Sequence, residues 1–409
     1  MAWSAGKMKQ IPWSSLSARS CRNRRKGCNF AWEQCKLGDV AKITMGQSPN
    51  SKNYTDNPKD HILVQGNADM KDGQVHPRIW TTEITKIADK GDLILSVRAP
   101  VGDIGKTSYD VVIGRGVAAI KGNEFIFQLL KRMKTVGYWT KYSTGSTFES
   151  INSLEINNAV INLPKEHEQN KVGKILSYMD HAITLHEEKK RQLERLKSAL
   201  LKKMFADKSG YPAVRFEGFG GKWDQCKLGN VGTFRGGFGF PENEQGNIDG
   251  IAFYKVSDMN DSCNTLTMRK ASNYVTSSQI SKNKWKPILN QNIIFAKVGA
   301  AVYLERKRKA MGPFLLDNNM MAFQPKDADI DYIYYVFQRL RISKHAQVGT
   351  LPSLNASELR NITIYIPSLN EQKAVADLMV SLDHTIILYD FKLELLKKLK
   401  SSLLQHMFI

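Results

Sequence analysis

The segment WEQCKLG at residues 32–38 returns almost unchanged as WDQCKLG at 223–229. A second echo closes each half of the chain. Residues 161–206 and 364–409 align without gaps, and about 18 of the 46 positions are identical, including Pro164/Pro367, Glu168/Glu371, Gln169/Gln372, Asp180/Asp383, His181/His384 and Phe205/Phe408. Just upstream, Thr147, Ser150, Asn152 and Glu155 match Thr350, Ser353, Asn355 and Glu358 in the same register. Between the echoes lie two stretches of about 110 and about 120 residues that barely resemble each other. A duplicated frame around two unlike inserts is not a solenoid, whose units are shorter and alike throughout.

Each closing echo turns helical after its proline, which suits a first helical turn, and a glutamate follows to complement the helix dipole. In the second copy Val375, Met379, Leu382, Ile386, Tyr389, Leu393, Leu396, Leu403 and Met407 fall on alternating four- and three-residue steps, interrupted at Lys400. The first copy carries Val172, Leu176, Met179, Ile183, Leu193, Leu200 and Met204, broken at His186, Lys190 and Lys197. Such a stripe over about five heptads predicts coiled-coil packing. About 40 residues per helix give rods of about 60 Å, and two stripes in one chain most simply pack on each other.

Lys and Arg total 59 against 39 Asp and Glu, a formal net charge of +20. That excess exceeds what solubility needs and points to a polyanionic partner, with nucleic acid foremost. No apolar run reaches the length of a membrane-spanning helix. The five cysteines (Cys21, Cys28, Cys35, Cys226 and Cys263) form no CxxC pair, which predicts free thiols in a reducing compartment and no zinc site.

The inserts read as mixed strand and helix. Residues 62–64, 93–97 and 117–120 in the first, and 251–256, 293–296 and 322–324 in the second, are expected strands. Residues 125–135 and 332–342 are expected short helices. Enzyme motifs do not survive inspection. VGDIGKT at 101–107 ends like a phosphate-binding loop, but Pro100 stands where the loop's first glycine belongs and removes a backbone donor. GGFGF at 236–240 lacks the dinucleotide-binding spacing. No Pro-Pro exists to complete an adenine-methyltransferase motif, and the histidines show no metal spacing. No catalytic, cofactor-binding or metal-binding residue is therefore expected.

What remains is polar and basic loop chemistry. The first insert offers Lys52, Arg78, Arg98, Lys106, Arg115 and the loop residues Tyr142, Thr144 and Ser146. The second offers Arg235, Lys255, Lys297, the run Arg306, Lys307, Arg308 and Lys309, then Asn318, Asn319 and Lys344. Arg, Lys and Asn read base edges; Ser, Thr and Lys position phosphates.

Taken together, the WEQCKLGDV frame, the Thr-x-x-Ser-x-Asn-x-x-Glu loop, the Pro-x-x-x-Glu-Gln rod start and the twofold layout resemble the specificity (S) subunit of type I restriction–modification systems over about residues 32–409. The resemblance implies an α+β fold, with two mixed α/β target recognition domains joined by two long helices in an antiparallel coiled coil. It implies domains at 32–164 and 223–366, helical spacers at 165–207 and 367–409, and a linker at 208–222. It further implies that each insert reads one half of a split double-stranded DNA site. The expected partners are two methylation subunits and the restriction subunits; no membrane is involved, and the setting is a prokaryotic cytoplasm. One departure stands out. PAVRFEGFGGKW precedes the second frame, whereas residues 1–31 carry no acidic residue and resemble a transit peptide in composition. They read as a divergent or frame-shifted start, expected to be poorly ordered. The alternative to a DNA reader is a coiled-coil adaptor whose inserts bind proteins.

Overall fold

The computed structural model describes residues 32–140, 150–347, 349 and 351–408. The segment 1–31 and the loop residues Tyr142, Thr144, Ser146, Thr147 and Thr350 lie outside the described residues. Among the described residues two compact units emerge: those from Trp32 to Tyr178 together with 402–408, and those within 179–401. The four longest helices are α1 (Glu124–Thr135), α2 (Glu166–Lys203), α3 (Ile330–Arg339) and α4 (Leu369–Met407).

The two echoes of each half are neighbours in space. Glu33–Lys36 pairs antiparallel with Val160–Leu163, setting Cys35 opposite Ile161. Asp224–Lys227 pairs with Thr363–Ile366 in the same way, setting Cys226 opposite Ile364. The tryptophan opening each frame reaches the helix that closes it. Trp32 Nε1 donates to Glu168 at 3.1 Å, and Trp223 Nε1 donates to Glu371 at 3.3 Å. The adjoining glutamines tie the start of each long helix to the residues before it: Gln169 donates to the Pro164 carbonyl at 2.8 Å and Gln372 to the Pro367 carbonyl at 2.9 Å. Their side-chain oxygens accept from Asn123 and from the Asp329 backbone, the N-caps of α1 and α3. The Pro-x-x-x-Glu-Gln echo is thus a junction between frame, short helix and rod.

The inserts share one architecture despite their sequences. In the first unit, a sheet runs Ile43–Met45, Val117–Ile120, Leu93–Ser96, Ile104–Lys106, Gln74–Val75. In the second, Gly232–Gly236, Met320–Pro325, Asn292–Ala296, Lys307–Ala310 and Thr267–Met268 follow the same order. The second sheets also correspond: His61–Val64 lies between Ile79–Thr81 and Val111–Ile113, as Ile251–Tyr254 lies between Asn273–Val275 and Phe314–Leu316. The expected strand at 251–256 ends at Tyr254, and Val256 opens a 3₁₀ turn. Aromatic contacts match too. Phe125 of α1 meets Trp32 and Phe408 at 5.4 and 5.0 Å, and Tyr332 of α3 meets Trp223 and Phe205 at 6.1 and 5.4 Å.

Within the second unit the long helices run antiparallel. Asp180 pairs with Lys400, Lys190 with Asp390 at 2.6 Å, Lys197 with Asp383, and Glu187 with Lys397 at 2.6 Å. His186 lies against Tyr389, with ring centroids 5.5 Å apart. The polar interruptions of the predicted seam are therefore cross-helix partners, not gaps. All sixteen seam residues are buried or half-buried, from Val172 to Met407. The Asp180–Lys400 and Lys197–Asp383 pairs join the same repeat positions with the copies exchanged, so the paired section has a pseudo-twofold.

The two pairs differ in burial. The Asp383 side chain is 7% exposed and also accepts from the Tyr335 hydroxyl at 2.7 Å, whereas the Asp180 side chain is 32% exposed. Burial, with Asp383 beside it, holds the Tyr335 hydroxyl far above its usual range, so it stays a donor. Lys197→Met strands a buried carboxylate and should cost about 3 kcal/mol. Lys400→Met, next to a better-solvated carboxylate, should cost about 1 kcal/mol. Chemical unfolding of both variants tests this, and equal losses would contradict the burial difference.

Candidate nucleic-acid interface

Four turns at the ends of neighbouring strands converge in the first unit: 46–48, 65–67, 97–100 and 114–116. They enclose a cleft of about 240 Å³ lined by Ser48, Gln65, Asn67, Arg98 and Arg115 among others. Close backbone approach is built in by glycine. A Cβ on Gly116 would lie 1.9 Å from the Gln65 carbonyl, and one on Gly46 2.1 Å from the Gly114 carbonyl. The walls are braced. Asp69 accepts from the Gln65 backbone at 2.8 Å, Ser48 Oγ from the Arg115 backbone at 3.0 Å, and Ser96 Oγ donates to the Arg98 carbonyl at 2.9 Å.

Arg98 and Arg115 are exposed, and among the described residues neither guanidinium has an ion-pair or hydrogen-bond partner. Gln65 Nε2 is buried without a hydrogen-bond partner. A buried amide donor left unmade is costly unless something outside the chain supplies an acceptor. Two unpaired guanidiniums and an orphaned amide donor make a site for an anionic, acceptor-rich ligand.

The second unit repeats four of this backbone's hydrogen bonds. The Gly114 N–H donates to Val64 at 2.8 Å, and the Asp317 N–H donates to Tyr254 at 2.9 Å. Val97 donates to Gly116 as Lys297 donates to Asn319, at 2.9 and 2.8 Å. Gln47 donates to Ile113 as Phe238 donates to Leu316, at 2.8 and 2.7 Å. Val117 and Met320 close their turns onto Gly114 and Asp317. Gly237 even repeats the close approach of Gly46, its Cβ falling 2.0 Å from the Asp317 carbonyl. In this register Gln65 corresponds to Lys255, Val97 to Lys297, Arg115 to Asn318 and Gly116 to Asn319. Four residues scattered over the second insert's sequence, Lys255, Lys297, Asn318 and Asn319, thus come to the matching strand ends. Lys255 there donates to Gln245 at 2.5 Å.

Other candidates are placed elsewhere, and several are corrected. Lys307 is 1% exposed, donating to Glu305 and to the Leu340 carbonyl, and burial pushes its ammonium pKa down. It cannot meet phosphate. Arg308 donates to the Asn264 carbonyl, Arg306 bonds Asn260, and Lys309 pairs with Asp331. The basic run is therefore fastened into the second unit, with Lys307, Arg308 and Lys309 in the strand Lys307–Ala310, and is not a free cationic patch. Lys106 occupies the strand position equivalent to Lys309 and pairs with Glu124 at 3.7 Å. Each lysine thus meets a carboxylate in the first turn of α1 or α3. Arg78 braces the 65–69 turn through the Ala68 carbonyl, and Arg235 is spent on the Lys286 carbonyl. Lys52 and Lys344 are exposed, and Lys52 is not among the residues lining the first unit's cleft. The VGDIGKT segment leads into the strand Ile104–Lys106 rather than a helix, and Gly102 packs on Trp139.

Sequence reading overlooked Ser48, Gln65 and Asn67. Their only advance sign was the glycine clustering at 114–116 and 236–237, a mark of close backbone approach.

Among the described residues, no helix is long and apolar enough to cross a membrane. A family model described as the type I restriction modification DNA specificity domain matches residues 29–195 and again 220–398. Among curated proteins, the chain is 32% identical over 186 residues to the putative type I restriction enzyme MjaX specificity subunit of Methanocaldococcus jannaschii, a match spanning 43% of each chain. It is 22% identical over 400 residues to the MjaIX specificity subunit of the same organism, covering 91% of both. Among solved structures, the S subunit of a type I system from M. genitalium superposes with a TM-score of 0.60 at 15% identity, covering 94% of this chain and 98% of that one. A chain from a study of type I complex assembly and conformational transition follows at a TM-score of 0.52 and 16% identity, covering 93% and 98%. With the family model matched twice, once in each half, the chain belongs to the specificity subunits of type I restriction–modification systems.

Proposed function

We propose that this chain is the non-catalytic DNA reader of a type I restriction–modification complex in a prokaryotic cytoplasm. Each insert reads one half of a bipartite double-stranded site through its strand-end turns. The observation that carries this reading is the pair of strand-end turns on one backbone register with different side chains. A protein reading two separated half-sites needs two readers, as dimeric DNA-binding proteins obtain by symmetry. Duplication of the frame provides them here, and divergence of the inserts allows the halves to differ. In this reading 32–164 and 223–366 are the recognition domains, and the helices at 165–207 and 367–409 set the spacing between half-sites.

Two methylation subunits are the proposed partners of the coiled coil, with restriction subunits joining that assembly. Leu185 and Leu388 occupy the same repeat position and are 59% and 49% exposed. Leu196 and Leu399 repeat the relation at 47% and 48%. Apolar side chains left in water at two equivalent places suit two copies of one partner. Leu185→Glu with Leu388→Glu should therefore abolish co-purification of the methylation subunit while leaving the chain folded and able to bind DNA. Unchanged co-purification would remove the coil as the docking surface.

The two-reader organisation is tested by exchange. Replacing residues 40–145 with the insert of a relative should change one half of the methylated motif, read by methylome sequencing with the partner subunits supplied. The other half and the spacing should persist. If both halves changed together, the inserts would have to read DNA jointly. Inserting four residues between Leu185 and Leu193 should lengthen that helix by about 6 Å, altering or abolishing the permitted spacing but neither half-site sequence.

A further inference from the structure

We infer that Arg115 reads a guanine in one half-site and that Asn318, its structural equivalent, reads an adenine in the other. This rests on the reading of the chain as a bipartite DNA reader. Both residues sit at the same place in a tight turn joining a strand of one sheet to a strand of the other, 114–116 in the first unit and 317–319 in the second. The equivalence comes from backbone hydrogen bonds on both sides of the turn, not from sequence. Gly114 and Asp317 bond the neighbouring strand's end at Val64 and Tyr254, and Gly116 and Asn319 accept from Val97 and Lys297.

Three observations favour a DNA contact at these positions over a solvated surface, and the second favours a base over a phosphate. First, both side chains are exposed, and among the described residues neither has a hydrogen-bond or ion-pair partner. Four other basic candidates are committed inside the fold, Lys106 to Glu124, Lys309 to Asp331, Arg78 to the Ala68 carbonyl and Arg235 to the Lys286 carbonyl, while Arg98 shares the cleft with Arg115. Second, the turns are stiff. Ser48 Oγ holds the Arg115 backbone at 3.0 Å, Gly116 touches the Gln65 carbonyl too closely for any Cβ, and Asp317 accepts from the Asn319 backbone at 2.8 Å. A fixed backbone suits directional, bidentate recognition, which a flexible surface side chain achieves poorly. Third, the cleft beside Arg115 holds the orphaned Gln65 Nε2, a buried neutral donor that calls for an inserted acceptor. A base edge presents acceptors that can enter a cleft.

The base assignment follows from donor and acceptor geometry. An arginine fork presents two donors that match O6 and N7 of guanine, and an asparagine amide presents one donor and one acceptor that match N7 and N6 of adenine. At one backbone position the two units would carry different letters of the same reading device.

The experiment uses the full chain expressed with its methylation partners in cells, read by methylome sequencing. Arg115→Asn should move one position of one half-site from a G·C to an A·T preference, with about 10- to 100-fold loss of methylation at the original motif. The other half should be untouched. Asn318→Arg should do the converse in the opposite half. Thermal unfolding should be unchanged for both variants, since neither side chain has a described partner to lose. An unaltered motif, or a uniform fall in methylation at all motif positions without relaxation at one, would overturn the assignment, the latter marking a phosphate contact. Failure of the underlying two-reader reading looks different: the unsubstituted chain would direct no bipartite motif at all.

Discussion

The antiparallel pairing of each opening echo with its closing echo is the constraint on which the rest depends. Cys35 opposite Ile161 and Cys226 opposite Ile364 bring the two ends of each insert together. The tryptophan–glutamate bond then ties that closed frame to the first turn of a long helix. Once the ends are joined, an insert is a loop whose interior can vary while its attachment does not. In the second unit this junction is reinforced. Arg215 of the lead-in grips Glu371 through two bonds of 2.7 and 2.8 Å, and Glu371 is 2% exposed. That pairing holds the Arg215 guanidinium above its usual pKa. A buried carboxylate is tolerable there because every contact it makes is with a donor.

The coil turns on a related balance between apolar packing and charge. Its seam is not uniformly apolar, and the breaks at Lys190, Lys197 and Lys400 looked like weaknesses in a one-dimensional pattern. In the folded pair each of these lysines meets an aspartate on the opposite helix. Charges placed so that only the antiparallel register satisfies them specify orientation, which a purely apolar stripe does less well.

The strand-end turns show how two inserts can diverge almost completely and still present side chains at corresponding points. Turn positions are held by backbone N–H and carbonyl groups, and these carry no side-chain identity. Gly114 and Asp317 make the same bond although they share nothing chemically. The glycines are the exception, because Gly46 and Gly237 stand where any Cβ would collide with a neighbouring carbonyl.

Much of this was legible in the residues alone. The repeat, the long helices, the seam and the mixed inserts were readable because packing on a helix imposes a period on side chains, and duplication leaves identical letters at the junctions. The DNA-facing candidates were only partly readable. Arg98 and Arg115 came to one cleft, while the run Arg306–Lys309, the most conspicuous charge cluster in its insert, went into the fold, with Lys307 at 1% exposure. Charge in a sequence says that a side chain needs a partner, not whether that partner is a carboxylate of the same chain or a group outside it. Gln65 shows the converse, a neutral residue made notable only by burial without a bond. The sequence by itself determined the frame and the helical rods, through local periodicity and repetition. Only the tertiary structure decided which polar groups are spent inside and which remain available, because that depends on contacts between residues far apart in the chain.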